Sequence, residues 1–328
     1  MCNLPQEALA CTRPLTCKHP NDASFVKNER RQNDCGLHLL NTSKFLHTYL
    51  PLALLLLAVM EILWLTPLLQ KLPRDYVAET KILAKCFSRD SPTAAGEQYE
   101  SIVRRRDQTL SSDATHSLIQ GDAHWATPEG EVIFEVLSLY GVDRRTRENL
   151  PQYGSQSRTG QYFFPPGTEK KTYGQWDPMY AGPRVASYDH TEQFRGFSVY
   201  VFNIIADGID ETSGYEVLPD VPERYRAITY GKGKLWLEPR SGIIVDYEDA
   251  GISYFVEPAT GEHVAEIFHW NARFTPDTRK EQFQLALRER FWRVALERGI
   301  PLALLAGGML SVVLATFRTR RSCLDIVS

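Results

Sequence analysis

The sequence predicts a mainly β protein of the α+β class, in which a curved antiparallel β-meander lies between two transmembrane helices. Two apolar segments, residues 45–69 and 300–317, stand apart from the rest of the chain. Each approaches the roughly 20 apolar residues that a membrane-spanning helix needs. Between them, short runs rich in aromatic and β-branched residues alternate with turn residues, which is typical of strands joined by hairpins.

The strand-like segments of the middle region follow one another with short connections. EVIFEVLSLYGV spans residues 131–142, and FRGFSVYVFNIIA spans residues 194–206. Within residues 224–270, apolar runs such as GKLWLE, GIIVDYE and ISYFVE are separated by EPRSG, DAG and EPATG. Connections this short join antiparallel neighbours, so we expect a meander of about five strands in this part of the chain. We also expect its sheet to curve and to pack on one or more helices.

These patterns divide the chain into six segments. They are a disordered cytoplasmic leader (1–44), transmembrane helix 1 (45–70), an extracytoplasmic β domain (71–277), a juxtamembrane helix (278–299), transmembrane helix 2 (300–317) and a basic cytoplasmic tail (318–328). The leader is polar and lacks periodicity, which favours disorder. Thr278 and Glu281 form a capping-box pattern, which predicts the start of the juxtamembrane helix.

Charge next to the second apolar segment predicts the orientation in the cell membrane. The run RTRR occupies residues 318–321, and basic residues flanking a span remain in the cytoplasm. Two spans then place both termini in the cytoplasm and residues 71–299 outside it. Of six cysteines only Cys86 lies in that outside region, so the β domain cannot form an internal disulfide.

Composition and motifs predict no cofactor, metal or catalytic residue. The 37 basic and 40 acidic residues are nearly balanced, so there is no general reason to expect nucleic acid as a partner. The sequence has no phosphate-binding loop, dinucleotide-binding fingerprint, H-E-x-x-H or G-x-S-x-G. The four cysteines of the leader lack the C-x-x-C spacing that structural zinc sites use.

One frame occurs twice, as LWLEPRSGIIV at residues 235–245 and YFVEPATGEHV at residues 254–264. Glu238, Arg240 and Ser241 of the first copy resemble a small catalytic group. The second copy keeps Glu-Pro and Gly but has no arginine, so the shared positions are those of a tight turn. Proline presets the φ of a type I turn and glycine then adopts positive φ, so we interpret both copies as hairpins.

Glu61 lies inside the first apolar segment, where a carboxylate is costly and suggests a function. The second segment carries small residues at every fourth position, namely Ala303, Gly307, Ser311 and Ala315. Small residues in such a row let two helices approach closely. We expect Glu61 to contact this row or a partner helix and to stabilise assembly. A proton relay and a position near the membrane interface remain alternatives.

Two further motifs suggest a surface for a ligand or a partner. Tyr173 and Trp176, in YFFPPGTEKKTYGQWDP, are aromatic residues that can face a ligand, although packing under a proline-rich loop is the alternative. Arg144 and Arg145, in YGVDRRTREN, can bind an anionic headgroup, although a solvated loop with internal ion pairs is the alternative.

The chain from the first apolar segment onward resembles the porin PorA family, mostly actinobacterial two-pass membrane proteins of unknown function. The resemblance covers roughly residues 50–320. It rests on LLQKLPRD, YGVDRRT, YFFPPGTEKKTYGQWDP, LWLEPRSGIIV and the second apolar segment. It implies a two-pass membrane protein and carries no catalytic residues with it.

The expected function is that of a non-enzymatic, membrane-anchored envelope protein. Its β domain would act as an interaction scaffold or bind an apolar, lipid-like ligand. Besides the lipid bilayer and that ligand, the expected partners are membrane proteins or further copies of the chain. The alternatives are a membrane-associated hydrolase with an unrecognised site and a subunit of an oligomeric pore or transport assembly.

Overall fold

The computed structural model describes residues 49–155, 157–177, 180, 182–212 and 221–324, with no side-chain description for residues 318–324. The predicted leader of residues 1–44 lies outside the described residues. The chain divides into two compact units, Leu56–Leu304 and a unit that joins Met1–Leu55 with Leu305–Ser328.

The Leu56–Leu304 unit is built on one antiparallel sheet of eleven strands. The strands are β1 (Val77–Ser88), β2 (Glu97–Ser112), β3 (His116–Ala126), β4 (Val132–Asp143), β5 (Asn149–Gly154), β6 (Tyr173–Gln175), β7 (Arg184–Phe194), β8 (Phe197–Asp210), β9 (Arg226–Glu238), β10 (Ile243–Val256) and β11 (His263–Phe274). Consecutive strands pair within β1–β5 and within β6–β11, and the two runs join where β1 pairs with β11. The prediction of a mainly β protein with an antiparallel sheet is confirmed.

The prediction of about five strands within residues 224–270 is wrong, because three longer strands, β9, β10 and β11, cover this part of the chain. The segment DAG lies inside β10 and is not a turn. Gly251 is needed there for packing, because an added Cβ would lie 2.3 Å from Cζ2 of Trp270. In the sequence, a strand glycine that leaves room for an aromatic ring therefore cannot be distinguished from a glycine in a turn.

Strands β1 and β2 lack a regular alternation of apolar and polar residues. In β1, Ala84 and Cys86 are buried while the intervening Lys85 is exposed. The middle of β2 reads VRRRDQ, so charged residues occupy both of its faces. The sequence does not mark these two strands, because the hydrophobic alternation on which strand prediction depends is weak there.

The sheet curls so strongly that its two edges approach each other. Gln161 forms one bridge with Glu148, next to β5, and another with Gln175 of β6. Trp176, next to β6, packs against Tyr140 of β4 with ring centroids 4.8 Å apart. Edges of a flat sheet of this size would lie roughly 50 Å apart at about 4.8 Å per strand. The contacts of Gln161 and Trp176 therefore require a curved sheet.

The helices are α1 (Leu50–Met60), α2 (Thr66–Leu69), α3 (Pro276–Val294) and α4 (Ile300–Leu324), with π-helical turns at Glu61–Leu65 and Ala295–Gly299. Helix α3 packs against β10 and β1. Its N-cap is Thr275, whose side chain accepts a hydrogen bond from Thr278 N at 3.2 Å. The helix therefore begins two residues before the predicted position 278, and Thr278 donates to the cap.

Two stretches of helix, Leu50–Leu69 and Pro276–Phe317, are long and apolar enough to cross a membrane, by length and composition. Their large apolar side chains are exposed, among them Leu56 and Leu63 in the first and Met309 and Leu314 in the second. The second stretch runs from α3 through Ala295–Gly299 into α4 without a break.

Candidate functional site

A cavity of about 700 Å³ lies between the inner face of the sheet and α3. Most of its wall is apolar and comes from β1, β2, β3, β9 and β11, with Leu285 on the opposite side from α3. Sites for small molecules and cofactors commonly have volumes of about 300–1,000 Å³ and mainly apolar walls. The cavity is therefore large and apolar enough to hold a small ligand.

Small side chains at inward positions leave this space open. Strand alternation directs Ala84 and Cys86 of β1 toward the cavity, as it does Ala123 of β3 and Ala272 of β11. All four side chains are buried. Larger apolar residues at these positions would fill the volume, as they do in an ordinary close-packed core.

An ion network around Arg184 forms one part of the wall through Asp177, Asp249 and Trp270. Arg184, which is 1% exposed, donates from Nη1 to Asp249 Oδ1 at 2.8 Å and from Nη2 to Asp177 Oδ2 at 2.9 Å. Trp270 Nε1 and Tyr180 Oη also donate to Asp249, at 3.0 and 3.2 Å. Burial opposes the charge of Arg184, but Asp249, Tyr180, Tyr247 and Asp177 together outweigh it and raise the pKa of Arg184 well above its ordinary value. The network therefore satisfies its own charges inside the protein.

A second network lies on β2. Arg105 Nε donates to Asp107 Oδ1 at 3.2 Å, and Tyr162 Oη donates to the same oxygen at 2.6 Å. Burial, together with the charge of Asp107, raises the pKa of Tyr162 well above its ordinary value. The phenol therefore stays protonated and remains a donor, and the Asp107 carboxylate is neutralised by its neighbours.

Arg147 lines the cavity without a carboxylate of its own. Its Nη1 donates to the carbonyl oxygens of Phe164 at 3.1 Å and Ser241 at 3.4 Å. Its Nε is buried without a hydrogen-bond partner among the described residues. Burial and then the positive charge of Arg293 lower the pKa of Arg147 to about 10. The guanidinium nevertheless stays charged at neutral pH, and Glu289 acts on it at longer range, which leaves at the cavity wall a cation without a salt bridge among the described residues.

The turn after β4 carries the three arginines of YGVDRRTREN, of which Arg147 reaches the cavity. Asp143 Oδ1 accepts hydrogen bonds from the backbone N of Arg145 and Thr146, at 2.7 Å each, which makes a side-chain-capped turn. Arg147 then adopts a φ of 63°, an uncommon left-handed conformation for a residue with a side chain. Arg144 is buried elsewhere and donates to Leu72 O at 2.8 Å. Arg145 is exposed, so neither predicted arginine lines the cavity.

The aromatic residues predicted for a ligand surface are also placed elsewhere. Tyr173 is 9% exposed and accepts a hydrogen bond at its Oη from Glu169 N, at 2.9 Å. Trp176 is 3% exposed and stacks on Tyr162 with ring centroids 5.7 Å apart. Neither residue lines the cavity. The structure places both where the alternative interpretation, aromatic packing under a proline-rich loop, puts them.

The first copy of the repeated frame forms the hairpin between β9 and β10. Glu238 is fully buried. Its carboxylate accepts hydrogen bonds from Ser241 N at 2.8 Å and from Nη1 of Arg290, in α3, at 2.9 Å. Arg240 lies 3.7 Å from Glu297, in the π-helical turn beyond α3. The acid and the base that looked catalytic in the sequence therefore attach the hairpin to the helix.

Glu61 and Ala303 belong to the Leu56–Leu304 unit, whereas Gly307, Ser311 and Ala315 belong to the other unit. Glu61 is 5% exposed and accepts a hydrogen bond from Thr66 Oγ1 at 2.6 Å. In the other unit, an added Cβ at Gly307 would lie 3.6 Å from Leu54 Cδ1, so α1 and α4 approach closely there. Ser311 and Ala315 are buried, and Ala303, in the larger unit, is exposed. The predicted role of Glu61 in assembly stays a prediction.

The described residues contain no group of three or more His, Cys, Asp or Glu side chains that could hold a metal. Cys86 is the cysteine at the cavity, and burial raises its pKa to about 11. A thiol with so high a pKa is a weak nucleophile at neutral pH. The Cys86 thiol therefore offers no strong nucleophile to the cavity, whose charged lining residues include Arg147 and Arg293.

A family model described as Porin PorA matches residues 47–317 of the chain. The chain belongs to the Porin PorA family. Among curated proteins, no match to this Porin PorA family chain was found. Among solved structures, it is similar to a LolA superfamily protein from Nitrosomonas europaea, with 10% identity over 67% of this chain and 95% of that chain. The TM-score of that similarity is 0.15, so it carries no argument.

Sequence reasoning missed the charged residues inside this Porin PorA family chain. Arg147 and Arg184 are buried, and Arg105 is half-buried, at or beside the cavity. The available signal was a charge at an inward position of a strand, as in VRRRD of β2. Without the curled sheet, those positions cannot be told from solvated ones.

Proposed function

We propose that this chain is a two-pass, membrane-anchored envelope protein whose extracytoplasmic β domain binds an apolar, lipid-like ligand without catalysis. The cavity of about 700 Å³ carries the proposal. A closed core of the same residues would support only a structural or scaffolding role. An open apolar volume between a sheet and a helix can instead receive an acyl chain, because burial of each CH₂ group stabilises the complex by about 0.8 kcal/mol.

The two apolar helices support the membrane part of the proposal. They present exposed leucines and other large apolar side chains over lengths sufficient to cross a bilayer. In water such surfaces would be strongly unfavourable, whereas in lipid they are solvated. The ends of the helices, at Leu69 and Arg293, also line the cavity. A ligand taken from the membrane would therefore have a short path to the site.

The cavity wall favours binding over catalysis. Its described lining residues include no histidine, and the thiol of Cys86 is held in its protonated form by burial. Ser241 has its hydroxyl within 3.4 Å of Glu238 O, a turn contact and not a contact with a base. Partner proteins and self-association remain predictions of the sequence.

Extraction of bound lipid from the full chain tests the ligand proposal. Wild-type protein, purified in a mild detergent that has been exchanged extensively, is expected to retain about one amphiphile per cavity. Ala84→Phe would fill the cavity at a buried inward position. We expect that variant to lose the retained amphiphile, as measured by mass spectrometry of the organic extract.

Ala95→Phe serves as the matched control, because it adds the same ring at an exposed position. It should retain as much amphiphile as the wild type, since lipid bound around the apolar helices is common to all three proteins. Ala123→Phe provides a second way to fill the cavity if Ala84→Phe does not fold. Equal retention in the folded cavity-filled variant and the control would contradict the proposed function.

A further inference from the structure

Two arginines at the cavity lack the partners that buried charges normally have. Arg147 and Arg293 are 8% and 7% exposed, and both line the cavity. The Nε of Arg147 and the Nε and Nη1 of Arg293 are buried without hydrogen-bond partners among the described residues. Buried charges in proteins are ordinarily paired or hydrogen-bonded, because desolvation without compensation is costly. Three N–H donors of the two arginines at the cavity are therefore available to a ligand.

The neighbouring carboxylates do not neutralise the pair. Glu289 also lines the cavity, but within the described residues its ion pair is with Arg288, at 3.9 Å. Glu238 is engaged by Arg290 at 2.9 Å, and Glu297 lies 3.7 Å from Arg240. These acids are within electrostatic range of Arg293. Arg147 and Arg293 act on each other as like charges and destabilise the empty site.

The contrast with Arg184 lies in its carboxylates, because the Nε of Arg184 is also buried without a hydrogen-bond partner among the described residues. Arg184 is equally buried and is matched by two carboxylates, Asp249 and Asp177. A buried arginine of this chain that stabilises the fold is therefore paired with carboxylates. Arg147 is held in a left-handed conformation by the turn at Asp143. This strain of about 1–3 kcal/mol places its guanidinium at the cavity wall.

Arg293 also lies at the boundary of a second, smaller cavity of about 350 Å³. Leu69, Glu289 and Arg293 line both cavities, and the second also includes Trp292 and Leu296. The arginines are therefore at the end of the large cavity that adjoins the end of α2. An amphiphile with its tail in the apolar volume would bring its headgroup to this end.

We propose that the cavity binds an amphiphile with a single anionic headgroup, a carboxylate or a phosphate, and that Arg147 and Arg293 bind that headgroup. This inference rests on the proposed function and names the chemical class of its ligand. Guanidinium groups offer several N–H donors in a planar arrangement that matches carboxylate and phosphate oxygens. An anion between the two side chains would supply the missing acceptors and remove the repulsion between them.

Photolabelling of the full chain in phosphatidylcholine nanodiscs tests the proposal. The probes are palmitic acid, palmityl phosphate and palmityl alcohol, each carrying a diazirine near the end of the chain. Cross-linked peptides of β1 and β11 report occupation of the cavity, since both strands line it. We expect at least one anionic probe to reach half-maximal labelling at a concentration about tenfold or more below that of the alcohol. The better of the two anions identifies the headgroup chemistry.

Arg293→Gln is the decisive variant, and Arg298→Gln is its control, because Arg298 is exposed and lines neither cavity. Arg293→Gln should remove the preference for the anion and leave alcohol labelling unchanged. Arg298→Gln should keep the preference. Arg147→Gln should act like Arg293→Gln, although it also removes the contacts to Phe164 O and Ser241 O.

The outcomes separate this inference from the proposed function. Equal labelling by all three probes, or an anion preference that survives in Arg293→Gln, would overturn the inference while the cavity still binds a lipid-like ligand. Labelling of β1 and β11 by none of the probes would overturn both. Loss of the anion preference in Arg293→Gln alone supports both.

Discussion

At the scale of single residues, buried arginines divide into those that hold the fold and those that are free to bind. Arg184 forms ion pairs with Asp249 at 2.8 Å and with Asp177 at 2.9 Å. Arg144 binds backbone carbonyls, including Leu72 O at 2.8 Å, and so attaches the chain that follows α2 to the sheet. Arg147 and Arg293 are buried at the cavity, carry unpartnered nitrogens and have no salt bridge among the described residues. Arg105 also lines the cavity with an unpartnered Nη2, but it is paired with Asp107.

Replacing Arg184 tests its role in stability. Arg184→Met removes the cation and leaves Asp249 and Asp177 buried, and breaking a buried pair in this way costs about 3–5 kcal/mol. The loss should appear as a large fall in the midpoint of thermal unfolding of the full chain in detergent. Arg226→Met is the control, because its pair with Asp210 is 3.8 Å long and largely exposed. We expect it to change stability by less than about 1 kcal/mol. Similar midpoints for the two variants would contradict this role.

At the scale of elements, the repeated frame produces the same turn in two different surroundings. Gly242 and Gly261 have φ values of 76° and 71°, and each donates from its N to the glutamate carbonyl four residues earlier, at 2.9 and 2.8 Å. The predicted positive φ of both glycines is confirmed. The first turn packs against the segment around Phe164, whereas the second is open to solvent.

The two glycines form a matched pair for mutation. Gly261→Ala should cost about 1–2 kcal/mol, because the left-handed conformation is strained for any residue with a Cβ and nothing else is within 4 Å. Gly242→Ala carries the same strain and also places Cβ 2.2 Å from Phe164 O. Moving that backbone should add about 1–3 kcal/mol. Denaturation of both variants measures the difference, and equal losses would show that the surroundings of Gly242 relax freely.

Helix α3 links the hairpin, the sheet and the cavity. Its apolar side buries Ala286 against Phe197, Val199 and Val245. Its charged residues are divided between holding the hairpin, through Arg290, and facing the cavity, through Glu289 and Arg293. The packing of Ala286 and the contact of Arg290 therefore fix the position of Arg293 without any contribution from a ligand.

At the scale of the whole molecule, the arrangement of the sheet explains why a cavity exists at all. The first and last strands of the meander, β1 and β11, pair at its centre with Ile82 opposite Phe274. The edges then curl toward each other and are joined through Gln161. A sheet curled this far cannot be filled by its own side chains when several inward positions hold alanine. Helix α3 covers the remaining space only in part.

The proposed orientation in the membrane is tested with single-cysteine variants in intact cells. With the other cysteines replaced by serine, a cysteine introduced as Glu129→Cys lies at an exposed turn between β3 and β4. It should react with a membrane-impermeant maleimide. The native Cys323, next to the basic residues 318–321, should react only after permeabilisation, because basic flanks stay in the cytoplasm. The opposite pattern of labelling would reverse the proposed orientation.

The local features of this protein follow from its sequence because they depend on neighbouring residues. Uninterrupted apolar length marks both helices, and turn chemistry marks Gly242 and Gly261. Alternation marks strands such as β8 and β11, whose inward residues are apolar. It does not mark β2, where charges occupy inward positions, and it misreads Gly251 as part of a turn.

Only the tertiary structure decides where the cavity lies and which residues face it. The pairing of β1 with β11 joins residues almost two hundred positions apart, and no local period encodes that contact. Among the three arginines of YGVDRRTREN, Arg147 lines the cavity and has a positive φ, whereas Arg144 and Arg145 do neither. Arg293 becomes an unpaired charge only because α3 lies across the sheet. Sequence patterns report local periodicity and composition, whereas a binding site depends on distances between segments that the folded chain brings together.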